Sequence, residues 1–137
     1  MSESSFQGIA RSGLSEAFVA DEARKSRLIL EARLCREQQP ELAAAKFAEA
    51  AAMEEQLGAA CAEQRSRGNS FVHYFSAASC WAQAGNFYEA IAICGQLLAE
   101  QDLPDPLRAR VEAYAHTLRT RRAQWYGELV HQSAESP

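Results

Sequence analysis

Apolar residues along this chain return at helical intervals. Leu28, Ile29, Ala32 and Cys35 follow the i, i+1, i+4, i+7 spacing that stacks side chains on one helical face, and Phe18 and Val19 extend that face backward. From Glu16 to Gln38 no glycine or proline interrupts the pattern. Ser15 has the chemistry of an N-cap for this first helix, with Leu14 placed to staple its opening turn. Residues 1–13, rich in Ser and Gly, are expected to be a flexible N-terminal tail.

The next segments follow from their punctuation. Pro40 suits a first helical position, where its missing N–H would have had no partner, so a second helix is expected from Pro40 to about Arg65 with Gly68 as its C-cap. A third is expected over Ser70–Ala84, with Phe71, Tyr74, Phe75, Ala78 and Trp81 on one face. Gly85 and Asn86 make a turn, and Asn86 with Glu89 three residues on has the form of a capping box. Helix four carries Ala90, Ile91, Cys94, Leu97 and Leu98 inward until the "DLPDP" stretch. Asp105 caps the last helix and Pro106 opens it; Leu107, Val111, Tyr114, Leu118, Trp125 and Leu129 form a seam about 38 Å long.

The expected architecture is all-α: about five helices in one domain over residues 14–131, followed by a second flexible tail at 132–137. Composition agrees. Alanine is abundant and costs least to hold helical, while Val, Ile and Thr are too few to support strands. Hydrophobic residues make up 47% of the chain, enough for a core. The net charge of −4 argues against general binding of nucleic-acid backbone. No apolar run reaches the roughly 18–20 residues that span a bilayer, so no membrane insertion is expected. With no secretory pattern at the start, a cytoplasmic setting is the expectation.

Within the third and fourth helices, Tyr74, Ala77, Ala78, Trp81 and Ala90, together with the turn "AGNFYEAI", carry a family signature. The stretch resembles a tetratricopeptide repeat (TPR), in which small residues let two antiparallel helices touch and large rings fill the space between hairpins. An earlier match runs through Leu28, Ala32, Cys35, Ala44 and Ala51. The same rhythm is similar to the SNAP-type fusion adaptors, which are also helical-hairpin arrays. The resemblance implies a short right-handed stack of hairpins with a long C-terminal helix. It also implies a concave groove lined by the first helix of each hairpin: Ile29, Arg33 and Arg36, then Val72, Phe75, Ser79 and Ala82, then His116 and Arg119. Phe75 and Ser79 stand where the family's carboxylate clamp has Lys and Asn, so binding of chaperone tails is not implied.

Catalytic and metal signatures are sparse. No Cys35, Cys61, Cys80 or Cys94 pairing has C-x-x-C spacing, and on a helix beside apolar residues a reduced thiol packs as a small hydrophobe. Glu128 and His131 give one Glu-x-x-His where a di-iron bundle needs two, and Glu112 with His116 is a simple i, i+4 pair. The glycines form neither a phosphate loop nor a nucleophile elbow. Glu49, Glu54 and Glu55 read as a solvated acidic face. No enzyme activity, cofactor or metal is therefore expected. The functional expectation is a helical-repeat module for a protein or peptide partner, with self-association as a homodimer through the last helix as a further expectation. Two alternatives compete with it: a small helical enzyme or metal-binding bundle, and a nucleic-acid adaptor working through the Arg119–Arg122 patch beside Trp125 and Tyr126.

Overall fold

The computed structural model describes residues 4–135, with side chains over residues 16–132. Five helices follow one another: α1 (Ser4–Cys35), α2 (Pro40–Glu63), α3 (Arg67–Gln83), α4 (Phe87–Leu98) and α5 (Asp105–Glu135). No strand occurs among the described residues. The all-α hairpin array read from the sequence is the fold of the chain.

The expected boundaries move in several places. Helix α1 begins at Ser4, so no helix starts at Ser15, and residues 4–13, expected as tail, are helical. At the other end α5 continues to Glu135, through most of the second expected tail. Residues 1–3 and 136–137, the remainder of the two tails, lie outside the described residues. Pro40 does open α2. Its end, however, is not at Gly68. Arg65 takes the left-handed conformation at φ 62, and Ser66 N–H closes back on the Cys61 carbonyl at 2.8 Å. That closing bond is the one a glycine terminator usually makes, and it leaves Gly68 inside the first turn of α3. Gly85 repeats the geometry at the end of α3, with φ 89 and Asn86 N–H bonded to the Trp81 carbonyl at 2.8 Å. Asn86 Oδ1 then accepts from the Glu89 N–H at 3.1 Å, the cap expected for α4. The α5 start shifts by one residue: Arg108 N–H already bonds the Pro104 carbonyl at 2.8 Å.

Each helix packs on the next, α1 on α2, α2 on α3, α3 on α4 and α4 on α5. Side chains also join alternate helices. Phe18 of α1 meets His73 of α3 edge-on at 5.8 Å, Arg36 just past the end of α1 donates to Gln83 of α3, and Phe75 of α3 meets Tyr114 of α5 edge-on at 5.6 Å. Residue numbers rise together along the α1–α3 contacts, so these two helices run parallel. The result is one layer of α1, α3 and α5, backed by α2 and α4.

Small residues set the spacing. Ala78 and Ala90, expected to let α3 and α4 touch, are fully buried in one core with Val111, Ala115 and Leu118. Large rings wedge between the hairpins. Trp81 packs into the core on both sides and donates its Nε1–H to Glu55 Oε2 at 2.7 Å. Tyr74 lies on Gly58 of α2, where a Cβ would come within 2.9 Å of the ring. Gly58 is thus a seat for the ring inside α2, not a terminator.

Arg67 joins the two ends of the second hairpin. Its Nε and Nη2 hold Asp102 at 2.7 and 2.8 Å and Nη2 also reaches Glu100 at 2.8 Å, while its guanidinium lies 4.9 Å over the Phe71 ring. The α4–α5 connection is fixed a second time by Arg108, which donates to the carbonyls of Leu98 and Glu100 at 2.8 and 2.6 Å. A cation on the last carbonyls of α4 also suits the negative end of the helix dipole.

Candidate functional site

The layer of α1, α3 and α5 presents α3 as its central strip. Val72 points out of this strip, 53% exposed, although it is a β-branched apolar residue. Beside it Phe75 is half-buried, with the Tyr114 ring edge-on and the Arg110 guanidinium 5.5 Å over its face. Burial pushes the Tyr114 phenol up, against smaller downward pulls from its hydrogen bond with Ser79 and the charge of Arg121. At the far end of α3, Gln83 accepts from Arg36. Arg33, Leu34, Arg36, Glu37, Gln38 and Gln83 line a shallow open recess there. The Arg36 guanidinium also lies 5.2 Å over the Phe47 ring, so its stem covers apolar surface while its charge stays exposed.

The residues expected to line a groove divide accordingly. Val72, Phe75 and Ser79 stand together, and Arg33 and Arg36 flank the recess beside Gln83. Ile29 is half-buried against two core clusters, and Ala82 is buried within the α3–α4–α5 core. His116 and Arg119 are exposed, and the Arg119 charge acts on Cys94 of α4. At 100° per residue they lie on the flank of α5 opposite Arg110 and Tyr114, the residues that meet α3. Arg110, Tyr114 and Gln83 are the members of this surface that sequence offsets missed. Tyr114 was legible as part of the α5 seam; its contact with Phe75 depends on how two helices separated by α4 are set side by side.

A second cluster lies where α1, α2 and α3 meet. Glu54, read from the sequence as part of a solvated face, is only 2% exposed. The correction has a physical cause: the carboxylate is partnered from both neighbouring helices. Lys25 Nζ of α1 lies 3.3 Å from Oε2, and His73 Nδ1 of α3 lies 2.7 Å from Oε1. The other ring nitrogen of His73 is 3.8 Å from Glu22 Oε2. Glu49 and Glu55 are not simply solvated either, since Arg24 holds the first and Trp81 the second. Buried charges survive when paired in this way.

All four cysteines are free thiols. Cys61, Cys80 and Cys94 are buried, and burial pushes each thiol up, Cys80 to about 11. Such thiols are poor nucleophiles, since the reactive form is the thiolate. Among the described residues no three His, Cys, Asp or Glu side chains gather to hold a metal ion. Among them, too, no helix is long and apolar enough to cross a membrane. In comparisons with protein-family models, with curated proteins and with solved structures, nothing matches this chain.

Proposed function

We propose that this chain is a non-catalytic helical-repeat module, stacked in the manner of tetratricopeptide hairpins, that holds an acidic amphipathic peptide or helix against the face of α1, α3 and α5. One observation carries the reading: on this face the exposed Val72 stands beside the edge of Phe75, with the Arg110 guanidinium over that ring and further cations along the face. Arg110 and Arg121 stand on the α5 side, and Arg33 and Arg36 on the α1 side. Arg110 and Arg121, with Arg33 and Arg36 at the Gln83 end about 16 Å along α3 from Val72, give this face a positive field on a chain of net charge −4. An amphipathic helix would set its apolar residues on Val72 and turn its carboxylates toward the arginines, the helix-in-groove mode. The raised thiols of Cys61, Cys80 and Cys94 support packing roles over chemistry, and free cysteines suit a reducing compartment such as the cytoplasm.

Backbone-amide NMR with a synthetic Glu/Leu amphipathic helix tests the proposal. Shifts are expected to concentrate at Val72, Ser79, Gln83 and Arg110, and Val72→Glu is expected to weaken binding by about tenfold or more. No response at about 1 mM peptide, or shifts centred on α2 and α4, would sink it.

A further inference from the structure

Helix α5 is 31 residues long and its partner α4 only 12, about 46 Å against 18 Å. The seam that α5 buries runs through Val111, Ala115 and Leu118, all with no exposed surface. Continued at steps of four and three, the same line passes the half-buried Arg122 and reaches Trp125 and Leu129, which are 51% and 41% exposed. Tyr126 and Val130 extend the bare strip on one side. The core-facing side of α5 thus outruns the helices that cover it.

The charges bordering this strip favour one occupant. Arg121 and Glu128 are seven residues apart, so they lie on one flank of the strip, two turns from each other. A two-fold axis beside Gln124 and Trp125 would set Arg121 of each copy against Glu128 of the other. Antiparallel pairing opposes like flanks, so both ion pairs form at once, and Trp125 falls at the centre. In a parallel pair this flank would face the opposite flank of the partner, and Arg121 and Glu128 would not meet. We propose that the projecting end of α5 is a homodimer interface in which two copies pair antiparallel around Trp125. An overlap of residues 119–130 is about 18 Å of helix, a small contact, so the dimer is weak and concentration-dependent, with a dissociation constant on the order of 10–100 µM. The interface shares Arg121 with the groove, whereas Trp125 and Glu128 belong to the interface alone, so Trp125→Ala and Glu128→Arg test the dimer separately from the groove.

Sedimentation equilibrium of the full chain from about 5 to 500 µM tests the pairing. A monomer–dimer equilibrium is expected. Trp125→Ala, at an exposed position, is expected to weaken it about thirtyfold, and Arg121→Glu or Glu128→Arg alone by roughly tenfold. The double exchange, Arg121→Glu with Glu128→Arg, should restore the dimer to within about threefold of the original. A monomer throughout the range overturns the proposal, as does a dimer indifferent to Trp125→Ala or a double exchange that restores nothing. A single-stranded oligonucleotide that quenches Trp125 fluorescence in the monomer, with binding lost on Arg121→Glu, overturns it in favour of a nucleic-acid surface.

Discussion

Two junctions hold this stack together by different chemistry. Where α3, α4 and α5 meet, the buried side chains are apolar: Ala78, Ala90, Cys94, Leu97, Val111 and Leu118. Where α1, α2 and α3 meet, a carboxylate is buried among them, and each flanking helix supplies one of its partners, Lys25 and His73. Apolar packing rewards any arrangement that fills the space, whereas the Glu54 contacts exist in only one register of three helices. Both junctions bury apolar side chains, the second including Phe47 and Met53, so both contribute stability. The second costs desolvation and selects the geometry, the arrangement in which a buried ion pair specifies more than it stabilises.

The largest break in this contrast is expected from Leu118→Ala. The side chain is wholly buried, and emptying its site should cost about 3–4 kcal/mol in urea unfolding. A loss under about 1 kcal/mol would mean the α5 seam contributes little to the core. Glu54→Ala comes next, at about 3 kcal/mol, because Lys25 and His73 are left facing a void. The sharper test is Lys25→Met combined with Glu54→Leu. If the pair selects register more than it stabilises, the double variant should unfold no earlier than the parent, yet lose the Phe18–His73 ring contact seen by aromatic NMR.

Alkaline pH should act on the two junctions to a smaller and unequal extent. Burial raises the Cys80, Cys94 and Tyr114 protons in the folded state, Cys80 from 9.0 to about 11. The folded chain keeps these protons where the unfolded chain gives them up. The associated stability is complete below pH 9 and is lost as pH rises through the folded values, by about 2 kcal/mol for Cys80. Thermal midpoints should be level near neutrality and fall between pH 9 and about 11, with Cys80→Ala flattening that fall. At the acid end Lys46 holds Glu31 below its ordinary value, and Arg67 does the same for Asp102. The Arg67–Asp102 pair is exposed and the Lys46–Glu31 pair is at the surface and only half-buried, so their contributions, present above the ordinary carboxylate range and lost as pH falls through it, are minor.

Helix number, order and the inward faces of α3 and α4 were legible because they rest on local rules, periodicity and capping. Asn86 needs only Glu89 to act as a cap. What the sequence hid depends on partners far along the chain. That Gly58 lies inside α2 was expected, but the reason for a glycine there, the Tyr74 ring sixteen residues on, is not visible from its neighbours in the chain. Glu54 looked solvated because Lys25 and His73 belong to other helices. Gly68 looked like the terminator because composition favours glycine, yet Arg65 takes the left-handed turn. Of the candidate site, the α3 members Val72, Phe75 and Ser79 share a strip because i, i+3 and i+7 lie on one helical face. Which flank of α5 meets α3, the one with Arg110 and Tyr114 or the one with His116 and Arg119, depends on how α5 is rotated on α4, and that is not a local property of the sequence.

Because every extensively packed pair of helices is also a pair of neighbours along the chain, no long excursion of backbone has to be closed before a contact is rewarded. Short closures cost little entropy and favour rapid assembly. Among the described residues no extensive packing joins α1 to α5, so tension applied at the two ends would peel the helices away one after another and the molecule would yield as a spring does, by turns.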